Sequence, residues 1–254
     1  TGELDIKTTY VLPVTIKSVE GIGVLQSAKT YYYVFRGASL INVVCNISRN
    51  RAYPDFKNDS KFNNLTENTM EILFKANSFP NTLNTLMGIE SNYLLRIGDA
   101  TIPNNQLQVA TSVNNCTSAD LQLESGKWYH VAVAFNKGNV KVYINGVEKL
   151  SGSTGKSSVS LGAKHTNEED GSRCFWVGYS YKDDRYFDGV VSEVRIWNRA
   201  LTAEEIQATN HFYTIEPESE GLIAYWKFDE GSGTVAKDYS VSGYDLTIEK
   251  EPKW

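Results

Sequence analysis

The chain has 254 residues and a formal net charge of −5; with no cluster of Lys or Arg, this excludes a surface built for nucleic-acid phosphates. No apolar run approaches the roughly 20 residues of a membrane helix, and no signal peptide is visible. Fifteen Tyr, 10 Phe and 5 Trp are punctuated by closely spaced Gly and Asn, which predicts an all-β protein long enough to bury a substantial core.

Residues 10–16 and 29–35 read as two strands joined by a segment centred on Gly21 and Gly23. Two strands alone are marginal in water. Residues 1–37 are therefore expected to be the C-terminal fragment of a small β domain that begins before residue 1. Residues 38–254 read as one continuous β domain. Strand-like runs at 40–47, 69–74, 83–89, 93–97 and 106–110 follow at short spacing with Asn, Gly and Pro between them. That spacing predicts a sandwich or jelly roll.

The stretch from Lys127 to Lys149 predicts a hairpin. One face of its first strand carries Trp128, His130, Ala132 and Ala134, the other Tyr129, Val131, Val133 and Phe135. In the second strand Val140, Val142 and Ile144 alternate with Lys141, Tyr143 and Asn145, the pattern of a pleated strand with one wet face. Asn136-Lys137-Gly138-Asn139 reads as a four-residue loop, and Asn145-Gly146 as a second tight turn. Further strands are expected at 157–162, 174–179 and 187–197. Thr202, with Glu205 three residues on, forms a capping box that opens a helix over 202–209. A strong strand follows at 221–228, then a polar loop and a last short strand.

The three cysteines lack metal-type spacing and permit at most one disulfide, for which Cys116–Cys174 is the pair to test. Asn46, Asn58, Asn64 and Asn115 lie in glycosylation sequons. Gly231-Ser-Gly233-Thr-Val-Ala236 imitates a dinucleotide fingerprint, but no apolar helix follows it. Gly178-Tyr-Ser180-Tyr-Lys182 lacks the second glycine of a nucleophile elbow. His130, His165 and His211 stand apart in the sequence, and each is read as a hydrogen-bonded structural residue rather than a ligand.

Three segments carry a resemblance. WYHVAVAFNKGNVKVYINGVEK resembles the central hairpin of laminin-G-like (concanavalin A-like) jelly rolls. FDGVVSEVRIWNRALTAEEI (187–206) is similar to the ending of those domains, and GLIAYWKFDEGSGTVAKDYSVSGYDLTI to an element that opens many of them. TLMGIESNYLLRIGDATIPNNQLQVAT (85–111) resembles a subgroup from surface glycan-foraging proteins of gut bacteria, where the jelly roll follows a small β domain whose strands residues 10–35 resemble. The match covers almost the whole chain. It implies a two-sheet antiparallel jelly-roll sandwich with one short helix. It also implies a non-catalytic carbohydrate-binding module of a bacterial cell-surface or secreted protein, exported and held, where anchored, by a lipid on a preceding segment. Its partners would be a polysaccharide or oligosaccharide and a surface protein complex. The alternative of the same fold is a protein-binding adhesion or scaffolding module.

The resemblance also sets the candidate residues. Hydrolases of this sandwich carry E-x-D-x-x-E on one strand, close enough for retaining glycoside hydrolysis. The partial match here, Glu3-Leu-Asp5, has Thr8 in the last place and lies outside the jelly roll, so no enzyme is expected. One structural calcium ion is implied between the closing strand and the 187–206 block. Glu193 and Asp238 match its acidic positions, with Asp188 and Asp229 in reserve. Sugar binding needs exposed aromatic platforms flanked by planar polar groups. Trp128, Trp197 and Trp226 fall on alternating strand positions and are assigned to the core. Tyr179, Tyr181, Arg185 and Tyr186 lie in a loop, and Tyr93, Arg96 and Gln108 on strands that would line the concave sheet. These seven form the candidate ligand site.

Overall fold

The computed structural model describes residues 9–17, 29–36, 43–168 and 171–254. The chain divides into two compact units, Thr1–Leu40 and Ile41–Trp254. In the first, β1 (Thr9–Thr15) pairs antiparallel with β2 (Thr30–Arg36), Tyr10 opposite Phe35 and Val14 opposite Tyr31. Glu3-Leu-Asp5 lies outside the described residues.

The second unit is two antiparallel sheets stacked on a shared apolar core. The seven-stranded sheet runs in the order β12 (Val147–Ser153), β11 (Asn139–Ile144), β10 (Trp128–Asn136), β5 (Glu67–Ala76), β14 (Gly189–Trp197) and β15 (Leu222–Trp226). β3 (Cys45–Asn46) pairs along the start of β14. The eight-stranded sheet runs β16 (Val235–Ala236), β17 (Leu246–Ile248), β4 (Ala52–Pro54), β13 (Trp176–Val177), β6 (Asn84–Ile89), β7 (Tyr93–Asp99), β8 (Ile102–Thr111) and β9 (Asn115–Cys116). Period-2 alternation delivers the core: Ile72 and Phe74, Val131 and Val133, Leu95 and Ile97, and Leu107 and Val109 all face inward and are buried. Among the described residues, no helix is long and apolar enough to cross a membrane.

The central hairpin closes more tightly than its sequence suggests. Asn136 pairs with Asn139, so the loop is the two residues Lys137 and Gly138, both at positive φ (46° and 96°). This type I′ geometry matches the twist of the flanking strands. The Asn145-Gly146 turn is as expected, with φ of 50° and 78° between the paired Ile144 and Val147. Both faces of the first strand are covered. Val131, Val133 and Phe135 point into the main core, while Ala132 and Ala134 lie in a second buried cluster with Tyr143, Trp197, Leu201 and Ile206. The segment after β14 covers that outer face. It contains α1 (Ala203–Ile206), shorter than the expected helix, and its capping box is formed: Thr202 Oγ1 accepts from the Glu205 N–H at 3.3 Å and Glu205 Oε2 accepts from the Thr202 N–H at 2.8 Å.

Four other expectations change. Residues 157–162 form no strand, only an isolated bridge from Val159 to Leu65. The strand expected at 174–179 shrinks to the two residues of β13. Trp128 is half-buried beneath Lys75 instead of in the core, because it ends its strand. Cys116 and Cys174 are free, as is Cys45. Cys116 belongs to β9, four strand spacings from β13, roughly 19 Å at the usual separation, whereas a disulfide needs Cα atoms within about 7 Å.

Candidate functional site

On the outer face of the eight-stranded sheet, Thr85, Arg96 and Gln108 form one row across β6, β7 and β8. The Arg96 guanidinium donates to Gln108 Oε1 from Nε (2.8 Å) and Nη2 (2.6 Å), and Nη2 also reaches Asp99 at 2.5 Å. Glu90, at the end of β6, lies 3.9 Å from Arg96 Nη1 and accepts from Arg185 Nη1 at 2.8 Å. The Tyr181 ring sits under Arg185 (4.8 Å) and Arg173 (4.0 Å). The structure thus brings Arg96, Gln108, Tyr181 and Arg185 together through Glu90, a carboxylate that sequence reading passed over. Arg96 and Gln108 are buried, and the Arg96 charge is met by Asp99 and Glu90.

Tyr93 and Tyr179 are not stacking platforms. Tyr93 is fully buried between the sheets, edge-on to Phe135 at 5.8 Å. It stands three positions from Arg96, so the pleat turns the two to opposite faces. Tyr179 is also buried, packed on Trp176 (5.0 Å) and Tyr186 (4.9 Å) with the Arg51 guanidinium 4.5 Å over its ring.

Tyr186 belongs to a different place. It lines a cleft of about 620 Å³ together with Ser48, Arg49, Ser78, Pro80, Asn81, Asp183, Phe187, Asp188 and Lys250. Loops at one end of several strands supply these residues. Asp188 organises the cleft: Ser48 Oγ donates to its Oδ1 at 2.7 Å, Ser78 Oγ to its Oδ2 at 2.5 Å, and Asn77 Nδ2 to Oδ1 at 3.3 Å. Burial alone would raise this carboxyl, but the three donors outweigh burial and hold it below the ordinary aspartate range. Asn81 Nδ2 donates to the Tyr186 carbonyl at 2.9 Å, fixing that turn. Burial pushes the Tyr186 phenol up to about 12, so at neutral pH it is protonated and able to donate. Buried Asn50 draws in the last wall, donating to the Lys250 carbonyl at 2.7 Å. The cleft therefore offers an aromatic ring, hydroxyls, an amide, carboxylates and two cations. Ser48, Ser78 and Asn81 were missed because nothing marks isolated loop Ser and Asn as partners before the fold joins them.

The acids matched to calcium do not suit it. Glu193 Oε2 accepts from Arg195 Nη2 at 2.6 Å. Asp238 accepts three backbone N–H groups, from Tyr225 (2.9 Å) and Ser240 (2.8 Å) at Oδ1 and from Tyr244 (2.9 Å) at Oδ2. A hard cation would face a guanidinium on one side and lose three hydrogen bonds on the other. Burial also pushes both carboxyls above their ordinary values. Of the reserves, Asp188 is committed to the cleft donors and Asp229 is exposed.

The histidines do not stand apart in space. His165 stacks on Tyr53 at 3.8 Å, but His130 and His211 converge on buried Glu71, their ligating atoms and its carboxylate all within 4.8 Å of one another.

Comparison with known proteins agrees with this architecture. Residues 50–207 match the laminin-G-like profile of the concanavalin A-like lectin/glucanases superfamily. A Bacteroides ovatus protein, provisionally described as carbohydrate-binding, is 27% identical over 99% of this chain and 72% of its own, with a TM-score of 0.73. Domain 4 of an extracellular arabinanase from Geobacillus stearothermophilus, solved with arabinotriose, is 22% identical over 65% of this chain and 74% of its own (TM-score 0.46). A SAP-like pentraxin from Limulus polyphemus is 15% identical over 68% and 84% (TM-score 0.45). No curated protein sequence is significantly similar. With the profile spanning more than half of its residues and both sheets in place, the chain belongs to the concanavalin A-like lectin/glucanases superfamily.

Proposed function

We propose that this chain is a non-catalytic carbohydrate-binding module of an exported or cell-surface bacterial protein, and that it takes a glycan in the cleft edged by Tyr186. The observation that carries the reading is the composition of that cleft: one ring flanked by hydroxyl, amide, carboxylate and cationic groups in about 620 Å³. A pyranose needs this combination, with an apolar face to stack and a rim of hydroxyls that both donate and accept. Family membership and the B. ovatus likeness support it. Hydrolysis is disfavoured by the lining acids. Asp188 is held ionised by three donors, and the Asp183 side chain is 86% exposed. Asp188 is thus not a carboxyl tuned upward to donate a proton.

The test is a screen of plant, host and microbial glycans followed by calorimetry on the best ligand. Tyr186→Ala and Arg49→Ala are each expected to weaken binding about tenfold, roughly 1.4 kcal/mol, with melting temperature little changed. Arg185→Ala, whose partner Glu90 lies outside the cleft, is expected to leave affinity alone. Loss in Arg185→Ala but not in Tyr186→Ala would move the site to the sheet face. A blank on all glycans would transfer the reading to a protein-binding module.

A further inference from the structure

The outer face of the seven-stranded sheet carries a buried cluster that the cleft does not use. Glu71 on β5 lies diagonal to His130 on β10, since Glu71 pairs with Ala132 and His130 with Leu73. Directly across on β14 is Arg195. A β-bulge between Val191 and Glu193 sets Glu193 and Arg195 on this same face. His211 arrives from the segment after α1. All five side chains are buried.

The two oxygens of Glu71 divide their partners. Oε2 accepts from Trp197 Nε1 at 2.7 Å and lies 3.7 Å from Arg195 Nη1. Arg195 is itself engaged, donating to Glu193 Oε2 and to the His211 carbonyl, each at 2.6 Å. Oε1 meets only imidazole: His211 Nε2 at 2.6 Å and His130 Nε2 at 3.3 Å. The second contact is outside hydrogen-bonding geometry. As a result both ring nitrogens of His130, 1% exposed, have no hydrogen-bond partner. A buried imidazole with two orphaned nitrogens is costly unless something occupies the space between them and the neighbouring donors.

We propose that Glu71, His130 and His211 form a binding site for a divalent ion of the zinc class. One carboxylate oxygen and two imidazole nitrogens are the donors that such borderline ions select, whereas calcium and magnesium prefer all-oxygen sets. With metal–ligand bonds of about 2.0–2.1 Å, tetrahedral ligand edges are roughly 3.3 Å. The separations of 2.6 and 3.3 Å, with the third within 4.8 Å, reach this by small ring rotations. Trp197 and Arg195 orient the carboxylate from its far oxygen, the outer-sphere support that ligating carboxylates need. The ion would tie two adjacent strands to the segment that covers them. Because the ligands are buried, it would be taken up during folding.

The full chain, stripped with chelator and refolded with or without ZnCl2, tests this. One equivalent of retained zinc is expected, together with a melting temperature several degrees higher than that of the metal-free protein. MgCl2 and CaCl2 are expected to give no rise. His130→Gln and His211→Gln should each lose the retained zinc and the shift, while His165→Gln keeps both. If the two variants fail to fold, Co2+ loaded into the wild type decides. The intense visible bands of a four-coordinate ion support the site, and the pale spectrum of a six-coordinate ion overturns it. Absence of retained zinc in the wild type, or retention unchanged in folded His130→Gln and His211→Gln, also overturns it. The cluster would then be an ordinary buried hydrogen-bond network.

Discussion

Asp188 shows how one side chain can serve both the fold and the cleft. Its carboxylate gathers Ser48, Asn77 and Ser78, which come from two separate stretches of sequence, and so sets the cleft floor. Because these donors favour the charged form, its folded pKa lies below its unfolded value, near 3.9. The stabilisation is therefore present above that unfolded value and is lost as pH falls through the folded pKa. Asp188→Asn is expected to lower the melting temperature at pH 7, with the gap to wild type shrinking below about pH 4. Thermal melts at pH 7 and pH 3 check this; an equal gap at both would show that the charge is not what the donors hold. Neither the sequence nor its periodicity marks Asp188 in this role, since an Asp before Gly189 reads equally well as a turn residue.

At the scale of elements, local chemistry specified turns well and short strands poorly. Asn145-Gly146 and Lys137-Gly138 close the hairpin at positive φ, as their residue types allow. Residues 157–162 alternate Val159 and Leu161 with Ser but form no strand, because only Val159 bridges a neighbour, Leu65. Gly88 carries a clear prediction. It sits in β6 at φ 120°, and a Cβ there would lie 2.3 Å from the Tyr93 carbonyl oxygen on β7. No ordinary side chain tolerates that conformation, and the clash is with backbone, which cannot rotate away. Gly88→Ala is expected to cost about 3 kcal/mol or more in urea unfolding. A value under about 1 kcal/mol would mean that β6 and β7 separate freely.

At the scale of the molecule, the sandwich carries its own core. Every residue of the main apolar cluster lies between Cys45 and Trp254, and contacts divide the chain at residue 40. Removing residues 1–40 is therefore expected to leave the remaining unit folded, with a melting temperature within a few degrees of the full chain and unchanged glycan affinity. Calorimetry on both forms checks it. A large drop would show that the β1–β2 hairpin contributes to the sandwich core. Closure at the other end depends on contacts remote in sequence: Arg51 pairs with Glu249, and Asn50 holds Lys250.

The sequence by itself determined the class of fold, the hairpin, the capping box and the inward faces of the strands. Each rests on the period-2 pleat or on a residue's own backbone preference, which neighbours in the chain largely decide. Tertiary structure alone decided the functional surroundings. It buried Tyr93 and Tyr179 and joined Arg96 to Arg185 through Glu90. It moved Tyr186 into a cleft with Asp188, and brought two histidines 81 positions apart, His130 and His211, onto Glu71. The physical reason is the same in each case. Side-chain direction follows from the strand, but which side chains meet follows from strand order and loop paths, and those are set by the packing of the whole sandwich.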